Sequence, residues 1–575
     1  MGAGTESDLA RIRDADSCRE WLRTLPPDPG DWLAAIAGLL ARLMRPGPGA
    51  DVLFEVLEPL RVAQVRAIEQ WLAPLAARAV PYAEEEWHRV GVALANLRGT
   101  RDLFKRAYSQ MLRADGGDTH AVIPGATNAL RVVLPLARAL DAQARIVSLL
   151  LGHRSAPLPA DWDALCVLAR HLRRTTFLDE TLLDEVPLVK PVTARALFTY
   201  PLLLRLAALP LRPAADARFA ERLASRLAAR VGFRIDRAPA AANPHGPSLG
   251  LTPEHAVRLD THRVPASLAR RREQWLATGA HEAVRRQVPL TPAALAALLD
   301  DLERRWTAAA PVPAVARGAR AAADAPPVQA PTQAQAQAAG ALAGGPARLR
   351  FGLPRMHSAD VRVKVGARTP QTGTRAPQAG AAPRYVYGRW EQNTIIRLAL
   401  GTESEKLDHA ALLMAEGETV SCLEARPDGC LVLERHEPMP RPGLGMLVAV
   451  APAGEGTPLA GLSLGVVEAI EQVPETDYLR LRAHRITVRP WRGKPMPVGV
   501  KIGDAMFFED AWLLPGDAPS GEPPSLVLAP SRAHAGARGL LREPDRDASV
   551  RFVALAARGP GYERLSLRIE AGELG

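Results

Sequence analysis

The amino-acid sequence predicts a multidomain chain of the α-then-β class: an all-α helical N-terminal region, a disordered linker and a C-terminal β-barrel region. Three features of the residue pattern point to it. Apolar residues recur every three or four positions as far as about residue 306, stretch 307–346 offers almost no large apolar side chain, and beyond it the apolar period falls to two. With 575 residues, 47% of them hydrophobic and 23% charged, the chain has apolar material for several cores and far too much for a wholly disordered polypeptide.

The helical period starts with Trp21, Leu22 and Leu25 and continues through Trp32, Ile36, Leu39, Leu40 and Leu43. Further helices are predicted over 50–72, 84–112, 126–151, 161–175, 195–209, 214–231 and 291–306, with Asp51 and Asp161 as capping residues. Prolines at 46, 59, 74, 81, 135, 157, 159, 201 and 210 mark boundaries or kinks. No fixed repeat of about 34 or 40 residues stands out, so a compact bundle is expected rather than a solenoid. Residues 236–251, DRAPAAANPHGPSLGL, lose the period and read as an internal loop, and the run Arg270, Arg271, Arg272 reads as one exposed helix face.

The helical domain is thus expected over 1–306, an Ala/Pro/Gln-rich flexible linker over 307–346 and the β region over 347–575, with a low-complexity insertion at 366–383. Within the β region, strands are predicted over 361–365, 394–400, 419–425, 430–436, 446–451, 462–470, 478–491, 498–502, 525–529, 550–556 and 564–570. Gly and Pro bound most of them, and the absence of helical runs between them indicates a barrel or sandwich.

Composition narrows the function. Seventy-two basic against 62 acidic residues leave a net charge of +10, an excess carried by Arg, whose planar fork suits phosphate and guanine edges. With only ten Phe and seven Tyr, stacking platforms are scarce, and no nucleic-acid partner is expected. Four scattered cysteines, Cys18, Cys166, Cys422 and Cys430, fit a reducing compartment. No 18-residue run is uninterruptedly apolar and the opening residues lack a signal-peptide layout, so a cytoplasmic chain without a transmembrane segment is expected. No phosphate-loop, nucleophile-elbow or H-E-x-x-H pattern occurs, so no catalytic residue is nominated and no enzyme is expected. Cys422 and Cys430, with His409 and His436, lack the tight spacing of structural zinc; neither a metal nor a cofactor is expected.

RFGLPR at 350–355 opens the β region, and EARPDG at 424–429 follows at a strand–turn–strand junction. The pair resembles a degenerate PilZ domain, a family in which a loop of pattern R-x-x-x-R and a strand motif D/N-x-S-x-x-G bind cyclic di-GMP on the outside of a small barrel. Arg350 and Arg355 are one residue too far apart, Glu424 replaces Asp or Asn, Arg426 replaces Ser, and Gly429 matches. CREWLRTLPP (18–27), LDTHRVPASLARRREQWLATG (259–279), ALAALLDDLERRW (294–306) and LSLGVVEAI (462–470) resemble a group of long proteobacterial proteins with a helical N-terminal region and a divergent PilZ-like C-terminal region.

The resemblance implies Arg350, Arg355, Glu424, Arg426 and Gly429 as ligand-binding residues. Guanidinium groups can take a phosphate bidentately or reach guanine O6 and N7, and a carboxylate at 424 can accept from guanine N–H donors. Arg426 either contacts phosphate or obstructs it, and Gly429 either admits the ligand or serves an ordinary hairpin. Arg480, Arg482 and Arg485 form either a basic stripe or the solvent face of a strand. The implied function is a cytoplasmic receptor or adaptor that responds to cyclic di-GMP and acts through its helical region on a protein partner in motility or surface attachment. The alternative is a nucleotide-independent scaffold with a degenerate PilZ-like barrel.

Stretch 307–346 cannot bury enough surface to offset its ordering entropy. Limited trypsin digestion is expected to cut first near Arg317 or Arg320, with the flanking halves surviving as fragments on a gel. First cleavage inside either half would contradict the division.

Overall fold

The computed structural model describes residues 12–571 apart from 46–47, 79, 115–128, 237–242, 244, 277–291, 309–310, 313–343, 352–416, 427, 437–440, 454–461, 504, 506–508, 517–521, 531–532 and 543–546. The chain divides into two compact units, one of Met1–Pro327 with Glu471–Arg482 and one of Val328–Ile470 with Ala483–Gly575.

The first unit holds, among the described residues, ten α-helices: α1 Ala15–Thr24, α2 Pro29–Leu43, α3 Ala50–Leu72, α4 Glu84–Ala114, α5 Ala129–Gly152, α6 Pro159–Arg173, α7 Ala194–Leu206, α8 Ala214–Leu227, α9 Val264–Leu276 and α10 Pro292–Thr307. Their starts follow local chemistry. Asp14 accepts the Ser17 N–H at 2.8 Å while Ser17 Oγ accepts the Asp14 N–H at 3.1 Å, a reciprocal cap on α1. Asp28 takes the N–H groups of Gly30 and Asp31 at the head of α2. Asp51 and Asp161, expected as caps, instead lie in the first turns of α3 and α6, where a carboxylate complements the helix dipole. Pro59, Pro135 and Pro201 lie inside helices.

Helix α5 is the hub, packing on α4, α6 and α7. Covered on several sides, it alternates bulky Val133, Leu136, Leu140 and Val147 with Ala137, Ala139 and Ala144, whose small side chains let neighbours approach. It also brings charges into the core. Arg138 reaches Glu58 at 2.9 Å and Asp184 at 3.1 Å, Arg61 reaches Asp184 at 2.9 Å, and Arg145 reaches Asp141 at 2.9 Å. Buried charges are tolerated only when paired in this way. The window Ala194–Leu211 is apolar and long enough to cross a membrane, but 72% of it is buried within the structure, which fits a core helix.

A small sheet, order β1-β3-β2-β4, is formed by Gly232–Asp236 (β1), Ser248–Thr252 (β2), His255–Asp260 (β3) and Pro311–Val312 (β4), so the described residues at both ends of the expected loop at 236–251 are strand. The helical region therefore carries a β element that the periodicity does not reveal, because its apolar runs are too short to set a period. The rest of the predicted linker lies mostly outside the described residues, as do the insertion at 366–383 and the predicted strands at 361–365 and 394–400.

Residues Glu471–Arg482 add a late segment to the helical unit. Gln472 accepts the Tyr82 N–H at 2.9 Å, and its amide donates to His153 O at 2.8 Å. Tyr478 is fully buried: its hydroxyl donates to Asp161 Oδ2 at 2.6 Å and accepts the Leu158 N–H at 2.8 Å, its carbonyl takes Trp87 Nε1–H at 2.8 Å, and the Arg98 guanidinium lies 4.5 Å from its ring centre. Tyr478 adopts φ +64°, a left-handed conformation that costs a non-glycine residue energy and persists only where surroundings fix it.

The second unit contains two closed six-stranded barrels, where the strand pattern predicts a single barrel region. The first is ordered β10-β7-β6-β5-β8-β9, with β5 Pro346–Phe351, β6 Glu418–Ala425, β7 Leu431–Arg435, β8 Leu447–Pro452, β9 Ser463–Pro474 and β10 Leu481–Pro490. The second runs β11-β12-β13-β16-β15-β14, from Met496–Ile502, Glu509–Leu514, Ser525–Leu528, Arg538–Arg542, Asp547–Gly559 and Tyr562–Ala571 as β11 to β16. Leu447, Ala449 and Ala451 of β8 pack with Trp512, Leu514, Val527 and Tyr562 between the barrels. Val448 and Val450 alternate to the other face and are also buried, which is why this strand reads as a continuous apolar run.

A Cβ at Gly91 of α4 would meet Tyr478 O at 2.9 Å and Leu479 Cα at 3.1 Å. Ala normally gains about 1 kcal/mol over Gly inside a helix, yet Gly91→Ala is expected to destabilise the protein. Tyr478→Phe, which takes the hydroxyl donor from the buried Asp161 carboxylate and leaves the Leu158 N–H only its 3.2 Å bond to Asp161 Oδ2, is expected to cost about 1 to 3 kcal/mol. Urea denaturation followed by tryptophan fluorescence measures both; a stabilising Gly91→Ala would refute the seating of this segment.

Candidate ligand-binding ends of the first barrel

Glu424, Arg426 and Gly429 lie together at the hairpin between β6 and β7. The Arg426 N–H donates to Cys430 O at 2.8 Å and the Gly429 N–H to Arg426 O at 2.9 Å, with Asp428 Oδ1 accepting the Cys430 N–H at 3.0 Å. Gly429 has φ +82°, which gives it a structural reason to be glycine independent of any ligand. Glu424 is exposed beside a bulge in the β6–β7 ladder, and Arg426 is half-buried. Glu468 of β9, close by, accepts from Arg489 Nη2 at 3.1 Å and from Cys430 Sγ at 3.4 Å. This end thus combines one exposed carboxylate and a guanidinium with a neighbouring ion pair.

Arg350 is elsewhere. It is a residue of β5, opposite Ala449 of β8, and not part of a loop before the barrel. In the β5–β6 ladder Pro346 faces Ser421 and Leu349 faces Glu418, so Arg350 and Glu424 lie at opposite ends, about seven residue steps or on the order of 20 Å apart. Arg350 and Glu424 therefore do not meet at one end of this strand pair. Arg355 lies outside the described residues.

The Arg350 end has its own chemistry. Arg435 of β7 follows Leu431 and Leu433 in the inward phase, and its side chain is fully buried. It reaches both Glu418 oxygens, at 2.9 Å from Nε and 2.5 Å from Nη2, and its guanidinium lies 5.2 Å from the Phe351 ring centre. Arg348 donates to Gly417 O at 2.9 Å. His484, opposite Arg435 in the β7–β10 ladder, is buried, and burial, then the neighbouring charges of Arg435 and His436, push its pKa down to about 4. Residue choice did not single out Arg435 and Glu418; the available signal was an arginine in the apolar phase of CLVLERH. Arg485 pairs with Glu434 at 3.3 Å and is mostly covered, so it belongs to a cross-strand ion pair rather than to an open basic stripe.

All four cysteines are buried and free. Burial pushes the Cys18 and Cys166 thiols up to about 12, which leaves them protonated and unreactive at neutral pH. Among the described residues, no group of three His, Cys, Asp or Glu side chains is placed to hold a metal; His409 lies outside them.

Residues 16–239 match the model of the N-terminal domain of the cyclic-di-GMP receptor FimW. That match runs from α1 to just past β1 and leaves out both barrels, so it bears on the helical unit and not on the PilZ-like residues. No curated protein and no solved structure matches the chain.

Glu418→Ala would strand the Arg435 charge inside the barrel, and an expected loss of about 3 to 5 kcal/mol follows. The histidines set an acid limit. His484 and, in the helical unit, His153 both titrate near 4 when folded, the latter through burial, against 6.5 when unfolded. Between those values the unfolded chain binds more protons, so stability is full above about pH 6.5 and falls as pH drops toward 4, by up to about 3 kcal/mol per histidine. Denaturation at a series of pH values should show this slope, and His484→Asn should flatten part of it.

Proposed function

We propose that the chain is a cyclic-di-GMP receptor, acting without chemistry of its own, that conveys ligand binding through its helical unit to a protein partner in motility or surface attachment. The observation that carries this reading is the match of residues 16–239 to the N-terminal domain of a cyclic-di-GMP receptor. The first barrel supports it by carrying Arg348 and the buried Arg350 on one strand and the half-buried Arg426 at the opposite end, guanidinium groups suited to phosphodiester and guanine edges. In this reading the chain works in the cytoplasm, needs no metal or cofactor beyond the ligand, and does not bind nucleic acid.

The separation of Arg350 from Glu424 favours one competing reading, a nucleotide-independent scaffold that has kept a PilZ-like barrel and lost its site. Calorimetric titration of the full chain with cyclic di-GMP decides between them. Saturable binding, weakened about ten-fold or more by Arg350→Ala or Arg355→Ala, is expected if that end holds the ligand. Glu424→Asp with Arg426→Ser then reports on the hairpin: tighter binding marks the native pair as a decayed site, weaker binding marks Arg426 as a phosphate contact. No binding in any of these forms would leave the scaffold.

A further inference from the structure

Helices α8 and α9 of the helical unit carry a group of arginines that the receptor reading does not use. The two helices meet in antiparallel rungs. At one end the Phe219 and Trp275 rings meet edge to face with centroids 5.3 Å apart; at the other, Arg230 Nη1 donates to Ser267 Oγ at 2.6 Å. These rungs place Arg226 of α8 and Arg271 of α9 opposite one another midway. Arg226 lies in the last turn of α8 and Arg230 ends the 3-10 turn Ala228–Arg230 that follows it, while Ser267, Arg271 and Trp275, each four residues apart, lie along one side of α9.

Three guanidinium groups therefore share one small face. Arg226 and Arg230 are exposed, and Arg271 is half-buried with its guanidinium 6.0 Å from the Trp275 ring centre. Arg272, beside Arg271, is instead paired with Asp300 at 2.5 Å. Among the described residues Arg226, Arg230 and Arg271 make no ion pair. Burial, with Arg226 and Arg230 adding to it, lowers the Arg271 pKa. In a chain that buries or pairs so many of its arginines, an unpaired trio flanked by a hydroxyl and an indole is an arrangement a bound anion would stabilise.

We propose that this face binds the phosphate groups of a small nucleotide, with Arg226 and Arg271 gripping the phosphate from opposite helices and Arg230, steadied by Ser267, closing the third side. The site is separate from the barrel and does not rest on the receptor reading. Its chemistry is shared by terminal phosphates and phosphodiesters, and the probes distinguish them.

The test is calorimetry on the full chain with pyrophosphate, GTP and cyclic di-GMP in turn, with Trp275 fluorescence as a local readout. Saturable binding of at least one probe is expected, weakening as salt rises, and falling about ten-fold or more in Arg226→Ala and in Arg271→Ala. Arg271→Lys, which keeps the charge and loses the fork, should fall between. Binding of pyrophosphate and GTP assigns the face to terminal phosphates; binding of cyclic di-GMP that survives Arg350→Ala but not Arg271→Ala assigns it to phosphodiesters. A ligand-induced rise in melting temperature should appear in the native chain and vanish in Arg226→Ala, whose own unliganded melting should stay level or rise because a like charge has gone. Failure of all three probes to bind, or equal affinity in the native and alanine forms, would overturn the proposal, as would binding confined to single-stranded DNA.

Discussion

The seat of Tyr478 is the contact on which the helical unit most depends for its late segment. One side chain and its own carbonyl satisfy Asp161, Leu158 and Trp87 together, while Arg98 covers the ring. The indole N–H of Trp87 is fully buried and would otherwise face an apolar core without a partner, which is costly. The left-handed backbone at Tyr478 and the bare face of Gly91 are the local concessions that let the segment lie close. Its two ends are themselves strand, Glu471–Pro474 being the last residues of β9 and Leu481–Arg482 the first of β10.

Arginine has two roles in this protein, and burial separates them. Arg61, Arg138, Arg145 and Arg435 lie in the interior, each bonded to carboxylates whose removal would be far more damaging than replacing the whole pair with apolar groups. Others, such as the half-buried Arg89 over Trp71 at 4.4 Å, spread their planar faces on rings. Net charge alone cannot show this division, because +10 counts a core guanidinium and a surface one alike.

Much of the architecture was legible in residue spacing. The helix over 50–72 begins and ends where the period does, and the strands at 430–436, 498–502 and 564–570 fall within a residue or two of β7, β11 and β16. What escaped were elements without a long enough period: β5, read as an arginine-bearing loop, and the short β1 to β3. Two barrels looked like one region because strand spacing does not say where a sheet closes. The site was less legible. R-x-x-x-x-R and E-A-R-P-D-G are near one another in a motif, but the antiparallel register of β5 on β6 sends Arg350 one way and Glu424 the other. Arg226 and Arg271 were invisible as a pair because they lie on different helices, and Arg270 to Arg272 look like one face until the helix turns Arg272 to Asp300 and Arg271 to Trp275.

The placement of Tyr478 also has a consequence for how the protein is made. Its hydroxyl partner, Asp161, precedes it by 317 residues. At about 5 to 20 residues per second, a ribosome needs on the order of 15 to 60 s to travel between them. For that interval the nascent helical unit carries an open socket lined by Trp87, Leu158 and Asp161, and it is completed only when most of the first barrel has already emerged.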